Sequence, residues 1–165
     1  MDLIAQYEIP YLHPLAVHFP LVLLLLGAAA AALYALLGRG AWRRAALVLF
    51  VLGTASAWVA EETGQELAYA VEGEPVVEQV VERHAQAAEW TVVVSALAAL
   101  VFVIVSIVRL RRPSASTEEG EEAPAPAVRE PLWGRLLALP PAVAAAALVA
   151  WTAHLGGIMV WGIPR

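Results

Sequence analysis

Residues 11–37 read "YLHPLAVHFPLVLLLLGAAAAALYALL", and the second part of this stretch, Pro20–Leu37, carries no Asp, Glu, Lys or Arg. A helix needs about 20 mostly apolar residues to cross roughly 30 Å of hydrocarbon. This one is long enough, whether it begins at Pro20 or already at Pro14. Outward from it, three more segments have the same character: Ala41–Ala60, about Ala85–Val108, and about Pro141–Trp161. The whole chain of 165 residues is 61% hydrophobic with a mean hydropathy of +0.70, a composition that leaves too little polar surface for a water-soluble domain. The expectation is an all-α membrane protein: a single domain, residues 1–165, built as a four-transmembrane-helix bundle with helices at about 14–37, 41–60, 76–110 and 141–161.

Arginine sets the expected orientation. Arg39, Arg43 and Arg44 lie between the first two spans, and Arg109, Arg111, Arg112, Arg129 and Arg135 lie between the last two. Only Arg83 and Arg165 fall on the opposite side. The positive-inside rule then predicts cytoplasmic arginine loops and N- and C-termini on the outer, periplasmic side of a bacterial inner membrane, with a multi-pass chain. The N-terminal "MDLIAQYEIP" is acidic and lacks a cleavage pattern, so it reads as retained. Residues 113–130, "PSASTEEGEEAPAPAVRE", are poor in apolar bulk and read as a flexible cytoplasmic linker. "PLWGRLLALPP" follows as a short interfacial piece, with Pro140 and Pro141 suited to the first turn of the fourth span. On the other side, 61–84 reads as an acidic outer loop, in which Pro75 at a helix start makes the third span begin above the membrane.

Cysteine is absent and only two methionines occur, so ligand chemistry falls to His, Glu and Asp. The net charge of −5, without a basic patch, speaks against nucleic acid. No nucleophile–base set or phosphate loop marks an enzyme; the most the chain suggests is an electron-transfer component.

The four histidines are the informative residues. His13 and His18 head the first span, His84 heads the third, and His154 lies about 20 Å up the fourth at roughly 1.5 Å per residue. All four fall in or near the outer leaflet, where Glu61 and Glu62 end the second span. Ionisable groups within a span are functional candidates. His13 and His18 are five residues apart, roughly 140° around a helix, so both cannot face one point. Pro20 leaves the Ala16 carbonyl without its usual partner, and a kink there is expected to aim His18 inward while His13 stays at the rim. Gly156 and Gly157 beside His154, and Gly53, Ala57 and Ala60 in the second span, suit close helix crossing or a flat ligand.

The motif HPxxVHFP, here His13, Pro14, Val17, His18, Phe19 and Pro20, resembles the opening of a bacterial family of small predicted membrane proteins known as a domain of unknown function. His84 at the head of the third helix, and the run from His154 through Val160 with its paired glycines, fit the same pattern in the same order. The resemblance covers almost everything but 113–130 and implies a four-helix membrane domain with a histidine-lined site, without implying an activity.

Three readings follow. One b-type haem could take axial imidazoles from His18 and His154, with His84 as substitute and His13 or Arg83 near the propionates. Trp58, Trp90 and Trp151 would line the porphyrin, and quinol or a periplasmic redox partner would exchange electrons. Alternatively, His18, His154, His84, Glu61 and Glu62 would bind zinc, copper or iron. In the third reading the chain is a non-catalytic scaffold, a homo-oligomer or a subunit of a larger membrane complex, whose imidazoles only bridge helices.

Overall fold

The structure, a computed structural model, describes residues 12–70, 75–110 and 130–162. Its elements are α1 (His13–Ala16), α2 (His18–Leu37), α3 (Gly40–Ala70), α4 (Pro75–Leu110) and α5 (Leu132–Trp161). Four stretches are long and apolar enough to span a membrane: His13–Leu37, Gly40–Gln65, Glu78–Leu110 and Leu132–Met159. α2 packs on α3 and α5, and α4 packs on the same two, which closes a four-helix ring with α1 lying across α3 at one end.

The first hairpin follows from local chemistry. Gly38 takes the left-handed conformation (φ 65°, ψ 21°) that a residue with a Cβ resists, and its N–H returns to the Tyr34 carbonyl at 2.8 Å. Arg135, arriving from α5, donates to the Ala35 and Leu36 carbonyls at the same helix end. A cation there satisfies orphan acceptors and complements the helix dipole.

Inside, the core cluster comprises Leu24, Ala30, Ala31, Tyr34, Ala46, Phe50, Ala98, Ala99, Phe102, Ala138, Ala142, Ala145 and Val149. Alanine dominates it because helices in lipid gain little from burying apolar bulk and much from letting backbones approach. Gly53, Ala57 and Ala60 are buried as the expected small-residue face of α3, and a Cβ on Gly53 would stand 2.6 Å from Leu24 Cδ2. The bulky residues point the other way. Val22, Leu26, Leu52, Leu97, Leu100 and Val143 are all about half exposed, an apolar jacket suited to acyl chains.

Three boundaries differ from the sequence expectations. α3 does not stop at Ala60 but runs on to Ala70, because "EETGQELAYA" is mostly strong helix formers and nothing in it breaks the ladder. α5 begins at Leu132 rather than Pro141, with Pro140 and Pro141 inside it. The reason is a buried stripe, Gly134, Ala138, Ala142, Ala145 and Val149, which keeps helical spacing straight through both prolines. The carbonyls that the prolines leave unpaired are those of the exposed Leu136 and Leu137. Thirdly, Glu130 is buried and its N–H bonds the Gly38 carbonyl at 2.8 Å, so it belongs to the bundle and not to a solvated linker. Residues 113–129 of the expected linker lie outside the described residues.

Candidate functional site at the histidine end

At one end of the bundle a short turn of helix, α1, leads into α2 through Val17, which keeps helical dihedrals (φ −63°, ψ −21°). α1 is a single turn, with Pro14 in its first positions, and it ends at Val17. Pro20 has no N–H to offer Ala16, so the ladder cannot run unbroken from α1 into α2. The discontinuity expected near His18 is therefore present, but the histidine on the inner face is His13, seven residues before the buried Pro20. His13 is half-buried, with Nδ1 2.8 Å from the Ala60 carbonyl of α3 and 3.4 Å from Thr63 Oγ1. Gly64 makes room for the ring, since a Cβ there would lie 2.9 Å from His13 Cε1.

His84, also half-buried, reaches from α4 to α5, where its Nδ1 is 3.0 Å from the Thr152 carbonyl. One turn further along α5, a Cβ on Gly156 would stand 3.4 Å from His84 Cε1, so that glycine is an ordinary close neighbour. Below, Thr91 and Thr152 hydroxyls meet at 3.1 Å between the same two helices. The two imidazoles are neighbours: ring centroids are 6.0 Å apart with the planes at 88°.

The hydrogen bonds determine the tautomer. A carbonyl only accepts, so Nδ1 carries the hydrogen in both rings, and in the neutral ring Nε2 keeps its lone pair. Neither Nε2 has a hydrogen-bond partner among the described residues. This is how a metal-ligating histidine is usually held, with the far nitrogen fixed by a carbonyl or carboxylate.

His18 and His154 are not part of this arrangement. Both are exposed, and His154 rests against Trp151 with centroids 5.6 Å apart. The histidines that meet are thus His13 and His84, and not the expected pair His18 and His154. On α2 the buried stripe is Pro20, Leu24, Gly27, Ala31 and Tyr34, and a residue two before Pro20 points to the opposite face. On α5 the stripe passes through Val149, Thr152 and Leu155, leaving His154 to one side. The metal set of His18, His154, His84, Glu61 and Glu62 is likewise not assembled. Glu62 is exposed, Glu61 is half-buried, and among the described residues no three His, Asp or Glu side chains converge as an ion would require. Trp58, Trp90 and Trp151 are 57%, 55% and 54% exposed, which makes them outward-facing residues and not walls of an internal slot. Arg83 is exposed as well.

The opposite end holds a cluster that the sequence reading missed. Glu130 Oε2 accepts from Tyr34 Oη at 2.9 Å and from Arg43 Nε at 3.0 Å, and Arg109 Nε lies 3.9 Å away. Arg43 also donates to Ser106 Oγ. Arg43 and Glu130 are each 7% exposed, so a buried ion pair joins α3 to the chain entering α5, with Tyr34 of α2 and Ser106 of α4 completing it. In the sequence Arg43 carries only a topology signal, and Glu130 is the last residue of the stretch that reads as a linker.

A family model described as a predicted membrane protein (DUF2231) matches residues 9–163. The chain belongs to the DUF2231 family. That match takes in both clusters, from His13 to Thr152 and from Tyr34 to Arg135, so each is part of the DUF2231 domain and neither is an appendage. No curated protein and no solved structure matches this DUF2231 chain.

Proposed function

We propose that this protein is a membrane electron-transfer component that binds one b-type haem between His13 and His84. The observation that carries the reading is the pairing of two imidazoles from different helices, each with Nδ1 fixed by a main-chain carbonyl and Nε2 free. The ring centroids are 6.0 Å apart, so one group could be held from both helices. Two protein ligands are too few for a bare zinc ion, which takes three or four. They suit iron in a porphyrin, which brings four nitrogens of its own. Bound there, haem would supply one-electron chemistry, with quinol as donor or a periplasmic protein as partner. The protein's own task is to hold the two rings: Ala60 and Thr63 orient His13, Thr152 orients His84. The positive-inside rule puts the arginine end, and with it Arg39, Arg44 and Arg109, in the cytoplasm, which places the histidine end toward the periplasm.

A scaffold role is favoured by the same two hydrogen bonds, because they tie α1 to α3 and α4 to α5 without any ligand. Absorption spectra of the detergent-purified protein, oxidised and dithionite-reduced, separate the two. The haem reading expects a Soret band and a sharpened reduced α-band, lost in His13→Ala and in His84→Ala but retained in His18→Ala and His154→Ala. Protein from haem-replete cells that is colourless at every preparation leaves the scaffold. If pigment is lost with His154→Ala and kept with His84→Ala, the ligand assignment is wrong.

A further inference from the structure

Among the described residues, the end of the bundle opposite the histidines gathers Arg39, Arg43, Arg44, Arg109 and Arg135 against a single carboxylate, Glu130. Glu130 is engaged by Tyr34 and Arg43, with Arg109 Nε 3.9 Å away, and Arg135 is engaged by the Ala35 and Leu36 carbonyls. Arg39 and Arg44 stand outside that network. Both are exposed, and neither has a hydrogen-bond or ion-pair partner among the described residues. Arg39 lies on the short link between α2 and α3, directly before the span that starts at Gly40. Arg44 is one turn inside that span, about 6 Å along at roughly 1.5 Å per residue. Its guanidinium reaches back to the helix start, with Nη1 3.9 Å from where a Cβ on Gly40 would stand. Long cationic side chains keep their heads at a membrane boundary in this way. Two uncompensated charges thus sit at the hydrocarbon edge, beside the α2–α3 turn.

Below them the surface is apolar and open. Val48 and Leu52 follow Arg44 at four-residue intervals on one face of α3 and are 55% and 52% exposed. Beside Arg39, Leu36 is 72% exposed. An occupant that satisfies both features has an anionic head at the boundary and an apolar chain running from it into the bilayer. A zwitterionic head group brings its own cation and leaves less charge for the guanidinium groups to meet. A free anion or an acidic peptide has no chain to lay along Val48 and Leu52. Guanidinium forks also match phosphate oxygens in shape. We infer that the α2–α3 turn is a binding site for an anionic phospholipid, its phosphate held by Arg39 and Arg44 and an acyl chain lying along Val48 and Leu52. The inference rests on this end of the bundle alone and does not require haem.

The test is native mass spectrometry of the full chain in detergent, titrated with phosphatidylglycerol or with phosphatidylcholine of the same acyl chains. The first phosphatidylglycerol should bind about 25-fold tighter than phosphatidylcholine, a factor of about five for each arginine. Arg39→Gln and Arg44→Gln should each weaken it about fivefold, and the double variant should lose the preference while keeping its thermal midpoint. Arg39→Lys/Arg44→Lys retains the charges and should lose less than the Gln pair. Arg83→Gln, at the histidine end, should change nothing. Equal affinity for the two lipids, or a double Gln variant that still prefers phosphatidylglycerol, would overturn the assignment. So would glycerol 3-phosphate binding as tightly as the lipid, which marks a site for free anions. The chain's own Glu118, Glu119, Glu121 and Glu122, outside the described residues, are the competing occupant. If they cover the arginines, changing all four to Gln raises phosphatidylglycerol affinity more than about tenfold by removing a tethered competitor, and the assignment fails; a lipid site expects a smaller change.

Discussion

The two ends of the bundle solve the same problem in opposite ways. Each carries polar side chains from several elements into a helical ring whose middle is alanine, with Phe50 and Phe102 stacked at 5.8 Å between them. At the arginine end the network is closed on itself: both Glu130 oxygens are engaged, Arg43 divides its donors between Glu130 and Ser106, and Arg135 caps α2. At the histidine end the network is open, because two imidazoles satisfy one nitrogen each and leave the other. A closed buried network specifies a fold, whereas an open one is available to a ligand.

The sharpest way to break this contrast is to remove Glu130. Glu130→Ala leaves Arg43 buried without its carboxylate, and stranding one partner of a buried pair costs about 3–5 kcal/mol. The midpoint of thermal unfolding in detergent should fall accordingly. The Arg43→Ala/Glu130→Ala double variant should lose less than the two single losses added together, since residues in one network couple. Additive losses would mean that the pair contributes little as a pair, and the arginine end would no longer qualify as a lock.

A middle-sized effect sharpens the comparison through glycines. A Cβ at Gly40 would stand 2.7 Å from Glu130 Oε1, inside the closed network, whereas one at Gly157 meets nothing within 4 Å. Gly40→Ala should therefore destabilise by about 1–3 kcal/mol, as overpacking does. Gly157→Ala should be neutral or stabilising by up to about 1 kcal/mol, because alanine is the better helix former. Matching melts for the two variants would show that Glu130 has room to move.

The same contrast explains what could be read in the sequence. Span number and class were legible in the long apolar runs, because lipid leaves a chain few alternatives to a helix. The close α2–α3 packing was legible in Gly53, Ala57 and Ala60. The choice among histidines was not, since it depends on which side of each helix is buried. A signal for His84 did exist: His84, Thr91, Ala98 and Val105 recur every seven residues, and the last three are buried. The same spacing marks His13, since His13, Pro20, Gly27 and Tyr34 also recur every seven residues and the last three are buried. Glu130 was concealed by composition, standing at the end of a Glu- and Pro-rich run although it directly precedes the helix that starts at Leu132.

The smallest expected effect bears on whether the histidine end is a site or only a clasp. Replacing His84 by Leu removes the bond to the Thr152 carbonyl but fills the space with apolar bulk. That carbonyl is within a helix and keeps its intrahelical partner, so the net cost should be about 1 kcal/mol, the worth of one typical hydrogen bond. His154→Leu, on the exposed face, should leave the melt unchanged. In a clasp those modest losses are the whole consequence of the substitution. In a ligand site, His84→Leu costs the protein its pigment while its fold survives nearly intact, and that dissociation of binding from stability is what an open network predicts. A His84→Leu variant that unfolds as severely as Glu130→Ala would show instead that both ends are locks, and the difference between them would disappear.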